Sequence, residues 1–475
     1  MVSRFGLWIN GNSVETQQWD TIMDPYLGKP FAEVAVAGEP ELEQAIQGAQ
    51  HAFETLRSLS RGERADMLYA ISALVKTHRD DLAHWLVQES GKPIDASLLE
   101  LDRVATTFRL SAEEALRDVG EVQAVDLSAR NKNFRALYER FPIGPISAIT
   151  PFNFPLNLSA HKIGPAFAAG NPVVLKPPVQ CPAILIHFAR IIQQAGVPDG
   201  ALNVIHCHPP VAERLATDDR FKLLSFTGSA RVGWHLKSIA GRKRVLLELG
   251  GNAGAIVHQD ADLAHAARRL ALGAYFQAGQ VCIKPQRIYV HKSIAQLFQQ
   301  AFVNETRALP VGNPANPGTV IGPMIDESAA QRVMDWVQEA IDQGAQVLLE
   351  GKREGRVVPP YVLTQVPENL KVVCEEVFGP VTIIESCNDF DEALQKVNQS
   401  RYGLQAAVFT HDIRLIDQAF RTLQVGGVIC NDYPNFRTDN FPYGGSRDSG
   451  MGREGVRYAM DEMTEKRMLV INMNA

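Results

Sequence analysis

The sequence predicts an α/β protein with two parallel-sheet domains and a small additional β element. Three observations predict it. Short apolar runs alternate with helix-period segments through both halves of the chain. Many of these runs end in glycine- or proline-containing turns that lead into the next helix. The length, 475 residues, suffices for two or three domains around sizeable cores.

Composition narrows the classes. Hydrophobic residues make up 45% and charged residues 21%, as in ordinary globular chains. A net charge of -6 offers no basic footprint for nucleic acid. No apolar run is long enough to span a bilayer. Met1-Val2-Ser3-Arg4-Phe5 lacks the apolar region of a signal peptide, so a cytoplasmic location is expected. Cys181, Cys207, Cys282, Cys374, Cys387 and Cys430 are scattered without a C-x-x-C pair. That spacing argues against a disulfide framework or a metal site and leaves room for one reactive thiol.

In chain order, residues 5–15 alternate weakly around Asn10-Gly11, a hairpin signal. Leu42, Ala45, Ile46, Ala49, Ala52, Phe53 and Leu56 repeat at helical spacing. A second helix is predicted over 63–89, stopping at Gly91, and a third over 94–117. In the third, Leu99 and Leu110 put Arg103 in an apolar stripe, where burial demands an anionic partner. Arg109 has Glu113 at i+4 and reads as a surface pair. Residues 121–142 read as polar strands.

Strand 146–150 meets the break Pro151-Phe152-Asn153-Phe154-Pro155, and a helix to Ala169 follows. Asn153, Asn157 and His161 are spaced to share one face near the strand's end. Strand 173–175 ends in Lys176; helix 183–195, strand 202–205, helix 211–216 and strand 223–226 come next. The turn Thr227-Gly228-Ser229 then opens a helix through Gly233 to Ala240. A ligand is expected beyond the C-terminal ends of such strands.

The second half repeats the pattern. Strand 245–249 precedes Gly250-Gly251-Asn252, and helix 261–277 runs into a glycine turn with Cys282 just beyond. Helices fit 294–309, 327–343 and 391–398; strands fit 347–349, 381–385, 406–410 and 427–430. The tail 465–472 reads as a closing strand able to pair outside its own domain.

Four features carry chemistry: Glu248 at a strand end, Cys282 past a turn, Asn153 in a proline-flanked turn, and a helix N-terminus at Ser229 suited to phosphate. Each alone has a plainer reading. These are a surface glutamate, a buried thiol, a simple turn and an ordinary helix start.

Together with their neighbours they resemble the aldehyde dehydrogenase superfamily over nearly the whole chain. The matching stretches are Thr150-Pro151-Phe152-Asn153-Phe154-Pro155, Gly170 to Pro177, Phe226-Thr227-Gly228-Ser229 with Val232-Gly233, and Leu247-Glu248-Leu249-Gly250-Gly251-Asn252. Gly279-Gln280-Val281-Cys282, Glu375 to Pro380, and Pro442-Tyr443-Gly444-Gly445 through Glu454 complete the set. The chain looks most like the branch of lactaldehyde, phosphonoacetaldehyde and non-phosphorylating glyceraldehyde-3-phosphate dehydrogenases.

The resemblance implies two Rossmann-type parallel-sheet domains. Residues 1–120 and 143–249 would bind dinucleotide, 250–446 would form the catalytic domain, and 121–142 with 463–475 would be oligomerisation strands of a homodimer or homotetramer. Cys282 would be the nucleophile, Asn153 an oxyanion donor alongside the Cys282 N–H, and Glu248 the base that hydrolyses a thioester. A carboxylate at 248 argues for hydrolysis over acyl transfer to coenzyme A. Thr150, Lys176, Gly228, Ser229, Gly233, Leu249, Glu376 and Phe378 would line the cofactor cleft. NAD-preferring members often carry a glutamate where this chain has Val179; a valine does not repel a 2′-phosphate, so NADP is admitted beside NAD. The alternative is that Val179 only packs against adenine.

Arg103, His161 and Arg437 would converge on the substrate tunnel and hold a small anionic aldehyde. Val281 departs from phosphate-binding relatives that carry a basic residue before the nucleophile. The plainer assignments are an internal ion pair for Arg103, a satisfied core histidine for His161 and a solvated loop charge for Arg437. Other activities remain on the table: coenzyme A acylation, cofactor-free thiol hydrolysis, or a noncatalytic chain that kept the fold.

Overall fold

The computed structural model describes residues 3–473; positions 1–2 of the predicted dinucleotide-binding segment and 474–475 of the predicted terminal strand segment lie outside them. Two large sheets organise the chain. The first has eight strands in the order Gly450–Met451, Arg244–Glu248, Leu223–Thr227, Ile146–Ile149, Val173–Lys176, Leu202–Val204, Leu7–Ile9 and Asn12–Val14. Its five central strands are parallel, and both ends are closed by antiparallel strands. The strand Gly450–Met451 returns to this sheet from beyond the second one and pairs with Leu247 and Glu248.

The second sheet orders Gln346–Leu349, Tyr361–Thr364, Val381–Cys387, Pro285–His291, Ala253–Val257, Gln405–Phe409 and Gly427–Cys430. All neighbours are parallel except the first pair. Strands buried on both faces are near-continuously apolar, as Ala253–Val257 and Gln405–Phe409 are. A third, antiparallel sheet joins Thr464–Asn472, Phe134–Pro142 and Glu121–Gln123.

Two helices position most of the site. Ile94–Arg117 buries Leu101, Val104, Ala105, Phe108, Ala112 and Ala115 at i, i+3, i+4 spacing against the first core. The larger of these, Leu101, Val104 and Phe108, each contribute about 1.5–3 kcal/mol when removed from water. Pro155–Ala169 is buried along its whole length, with proline in its first turn and Gly170 in the left-handed region at its end. It therefore lies between the sheet and the Ile94–Arg117 helix, and its polar side chains must find protein partners.

The structure departs from the expected elements in several places. The helix expected over 63–89 is two, Arg61–Thr77 and Arg79–Ser90, broken at His78. Asp80 and Asp81 in the first turn of the second are the start signal that the apolar spacing overrode. The helix expected over 211–216 is also two, Pro209–Ala212 and Arg214–Thr217. Strands Trp19–Met23, Pro30–Ala35 and Tyr361–Thr364 and helix Ile413–Thr422 were not anticipated. The helix carries its own start signal, since the Asp412 side chain accepts from the Arg414 N–H.

Candidate active site and cofactor cleft

A cavity of about 760 Å³ opens at the C-terminal ends of the parallel strands of the first sheet. Asn153, Glu248 and Cys282 all line it. Of the six cysteines, Cys282 alone reaches this wall.

The turn before Cys282 is backbone under constraint. Helix Leu263–Tyr275 tightens into a 3₁₀ turn, and Gln277, Ala278 and Gly279 follow one another at φ 53°, 55° and 68°. Two non-glycine residues in the left-handed region each cost about 1–3 kcal/mol and persist only where surroundings over-determine them. Here they do. The Gln277 side chain donates to the Asn153 carbonyl at 2.7 Å. The Gln280 amide donates to the Gln277 and Pro323 carbonyls, and its oxygen accepts from the Ile325 N–H. Gly279 cannot be replaced, since a Cβ there would stand 2.3 Å from the Gly379 carbonyl oxygen. At Gly251 a Cβ would lie 2.3 Å from the Cys282 carbonyl oxygen, so the Glu248 strand end and the Cys282 turn touch through backbone.

The Asn153 amide donates to the Gln280 carbonyl at 3.0 Å, which leaves its second N–H free. The Cys282 N–H has no protein acceptor among the described residues. Two donors thus stand on the cavity wall that carries the thiol. Behind them, Glu100 accepts from the N–H groups of Leu156 and Asn157 at 3.0 Å each and pairs with the fully buried Lys92, whose ammonium sits over the Phe154 ring. That carboxylate fixes the start of the helix just after Asn153.

Glu248 and Glu454 show how environment separates two buried carboxylates. Glu454 pairs with Lys162 at 3.0 Å and with Arg437 at 3.1 Å, and Lys162 also donates to Ser225 and Thr227. Burial alone would raise its pKa, but the two cations hold it down to about 2. Neither carboxylate oxygen of Glu248 has a partner. Burial, then the charge of Glu454, pushes Glu248 well above the usual carboxylate range. The Cys282 thiol is pushed up to about 12 by burial, partly offset by the Tyr443 hydroxyl 3.4 Å away.

The predicted cofactor residues follow the edge of the first sheet. Thr150 and Lys176 end adjacent parallel strands, with the Thr150 N–H donating to the Lys176 carbonyl. Lys176 donates to the Pro177 carbonyl, and burial lowers its pKa. Val179 is 40% exposed. Ser229 stands at the N-cap of helix Ala230–Ile239 without a side-chain cap bond, and Gly233 is buried on the sheet-facing side. Gly228, Ser229, Leu249, Glu376 and Phe378 line the cavity, whereas Thr150, Lys176, Val179 and Gly233 lie outside its wall. Glu376, pushed up to about 7 by burial, accepts from the Gly251 N–H at 3.0 Å. Phe378 sits at φ 46° with its ring edge-on to Phe152. An uncapped helix start for phosphate, a half-buried carboxylate for a ribose and an exposed valine beside a lysine fit a dinucleotide.

The three basic groups have separate fates. Arg103 and Arg437 line the cavity; His161 does not. All of Pro155–Ala169 is buried, and His161 lies one turn beyond the cavity-lining Asn157. Its Nε2 meets Asp439 at 2.9 Å, and burial, with the nearby charge of Arg437, lowers its pKa. The anionic partner that Arg103 requires is the same Asp439, at 2.6 Å. Burial raises the Asp439 carboxyl, but His161 and Arg103 outweigh it and hold it below the ordinary range. Arg437 is buried rather than solvated, stacks 3.7 Å over the Tyr443 ring and leaves its Nε unpartnered.

The family model for the aldehyde dehydrogenase family matches residues 8–469. The chain belongs to the aldehyde dehydrogenase family. It is 42% identical to the 3-sulfolactaldehyde dehydrogenase of Priestia aryabhattai, over 99% of both chains. Aldehyde dehydrogenase 21 of Physcomitrella patens, solved with the reaction product succinate, is 40% identical with a TM-score of 0.97, covering 100% of this chain and 99% of the other. Glyceraldehyde-3-phosphate dehydrogenase GapN of Methanocaldococcus jannaschii, solved with NADP, is 37% identical with a TM-score of 0.92, covering 96% and 100%. This aldehyde dehydrogenase is thus an oxidoreductase that uses NAD or NADP, with the α/β fold its sequence predicts. Neither coenzyme A acylation nor thiol hydrolysis is favoured.

Lys162, Glu454, Asp439 and Glu100 had no role assigned from sequence, although each faces a site group. Lys162 carried a signal, a charge in the apolar helix Pro155–Ala169 that must be paired, whereas Asp439 lies between the exposed Thr438 and Asn440 and carried none.

Proposed function

We propose that this aldehyde dehydrogenase oxidises a small anionic aldehyde to its carboxylate, with Cys282 as nucleophile. What carries the reading is the meeting of the Cys282 thiol, the Asn153 amide and the unpartnered Glu248 carboxylate on one cavity wall. Cys282 sulfur forms a bond to the aldehyde carbon, and the oxyanion accepts from the Asn153 side chain and the Cys282 N–H. Nicotinamide, when bound, supplies the acceptor for the hydride. Ser229 and the helix start behind it would hold the pyrophosphate, Lys176 an adenosine-ribose oxygen and Glu376 the nicotinamide ribose, with Thr150, Val179, Gly228, Gly233, Leu249 and Phe378 shaping the cleft. Glu248 then takes a proton from the water that attacks the thioester, and the sulfur leaves.

The anion would be held by the donors that Arg103 and Arg437 do not spend internally. Arg103 uses Nε and one terminal nitrogen on Asp439; Arg437 uses one nitrogen on Glu454. His161 acts behind them by orienting Asp439. The test is reduced-nicotinamide absorbance with paired neutral and anionic aldehydes, each with NAD and NADP. An anionic aldehyde should win on kcat/KM. Arg103→Leu should lose about 10- to 100-fold of that preference, the worth of a charge-assisted hydrogen bond. Unchanged discrimination would sink the anion site. With Val179 exposed beside Lys176, NADP should be used at least as well as NAD; strict NAD use would return Val179 to packing.

We also propose a cytoplasmic homodimer or homotetramer, with a domain division at about residues 250 and 446. Six free thiols suit a reducing compartment, and among the described residues no helix is long and apolar enough to cross a membrane. Strand Thr464–Asn472 is a sheet edge, and its Met468, Leu469, Val470 and Ile471 are 45–54% exposed. Such a bare apolar edge invites a second chain. Light scattering should give two or four chains per particle, and a single-chain mass would overturn the assembly.

A further inference from the structure

Tyr443 lies in the Pro442-Tyr443-Gly444-Gly445 turn. Its ring is buried in the cavity wall, and its hydroxyl lies 3.4 Å from the Cys282 sulfur. The Arg437 guanidinium lies 3.7 Å over the centre of the ring and pairs with Glu454. The backbone is clamped as well: the Tyr443 N–H donates to the Glu454 carbonyl at 3.0 Å, and the Glu454 N–H donates back at 2.7 Å. The hydroxyl is therefore aimed at the sulfur by two anchors, the stacked cation and the paired backbone.

We propose that Tyr443 is a catalytic residue whose phenol donates a hydrogen bond to the Cys282 thiolate, both when the thiolate forms for attack and when it leaves the thioester. The groups facing the sulfur explain why a donor is needed. Glu376 and Glu248 both disfavour a negative sulfur, Arg437 favours it from behind the ring, and burial opposes it most. A neutral donor in contact stabilises the anion without bringing a further charge into the cavity. The phenol keeps its proton, because burial and the neighbouring sulfur push it well above the usual tyrosine range. The direction of donation is thereby set from oxygen to sulfur. In the thiol-to-thiolate step the S–H bond breaks, its electron pair stays on sulfur and the proton passes to solvent; Tyr443 neither gains nor loses one.

The inference rests on Cys282 as the nucleophile, and its test separates the two. Iodoacetamide alkylates a thiolate with formation of an S–C bond and loss of iodide, and needs neither substrate nor cofactor. The second-order rate at Cys282, read by peptide mass so that the exposed Cys374 does not contribute, should fall about tenfold in Tyr443→Phe between pH 7 and 9. That fall corresponds to a shift of about one pH unit in the thiol. Tyr443→Leu, which loses ring and hydroxyl, should fall to a similar degree, and kcat/KM should drop in both while dinucleotide binding holds. An unchanged alkylation rate in folded Tyr443→Phe overturns the proposal. So does loss in the leucine variant alone, which would assign the effect to ring packing. If instead Cys282→Ala retained dehydrogenase activity, the nucleophile assignment would fail whatever the tyrosine variants did.

Discussion

Cys282→Ala is expected to lower aldehyde oxidation by at least about 10⁴-fold while leaving dinucleotide binding intact, since a lost nucleophile is not replaced by the rest of a site. The expectation is sharp because no other thiol can substitute. Cys181, Cys207 and Cys387 are buried elsewhere, and Cys374 and Cys430 are not on the cavity wall. The residues that would hold the dinucleotide belong to other segments, so the change should not reach them. Alanine also fits the turn: the constraint sits in Gln277 to Gly279, before the substituted position, and the Gln277 and Gln280 bonds that hold it involve no Cys282 side-chain atom. Initial rates of nicotinamide reduction, with cofactor affinity from fluorescence titration, check this. Residual activity above about 1% of the parent, far more than loss of a nucleophile permits, would move the nucleophile away from Cys282.

The proposed catalytic positions were readable because each sits where the chain pattern changes. Asn153 interrupts a strand-to-helix passage, Glu248 ends a strand before two glycines, and Cys282 follows a glycine turn. Pattern could not convey what balances them. Arg103 in an apolar stripe demanded an anion, but its supplier, Asp439, is 336 residues away and joins it only through the fold. Lys162 and Glu454 are likewise 292 residues apart, and their pairing is what leaves Glu248 as the unpartnered carboxylate. His161 shows the opposite error. Spacing put it on one face with Asn153 and Asn157, but the helix begins only at Pro155 and is buried on every side, so a shared face did not mean a shared cavity. Local breaks were missed for a related reason. His78 interrupts a continuous apolar period, and period alone cannot reveal a one-residue break between two helices that bury the same face.

Glu248→Gln should separate the two halves of the reaction. Acylation of Cys282 and release of one reduced nicotinamide per active site need no base at position 248, whereas attack of water on the thioester does. A rapid burst near one equivalent should therefore precede a steady state slowed about 10²- to 10⁴-fold, the usual worth of a positioned general base. The fold should tolerate the change, since neither Glu248 oxygen is bonded and glutamine keeps the volume. The parent's pH profile carries the same information. Burial and Glu454 raise the Glu248 pKa, so in the resting enzyme its carboxyl holds its proton further into the neutral range than an ordinary glutamate. Only the ionised form can take a proton from water. Deacylation should accordingly quicken as pH rises through that raised value, and this limb should vanish in the glutamine variant. Lys162→Met would move it in a predictable direction. With that cation gone, Glu248 loses a charge that favours its ionised form, while Glu454, still paired with Arg437, keeps repelling it, so the Glu248 limb shifts to higher pH. A Glu248→Gln enzyme that shows no burst and no turnover would place the carboxylate in the first half-reaction, as the base for the Cys282 thiol, and the division of labour drawn from its unpartnered oxygens would be wrong.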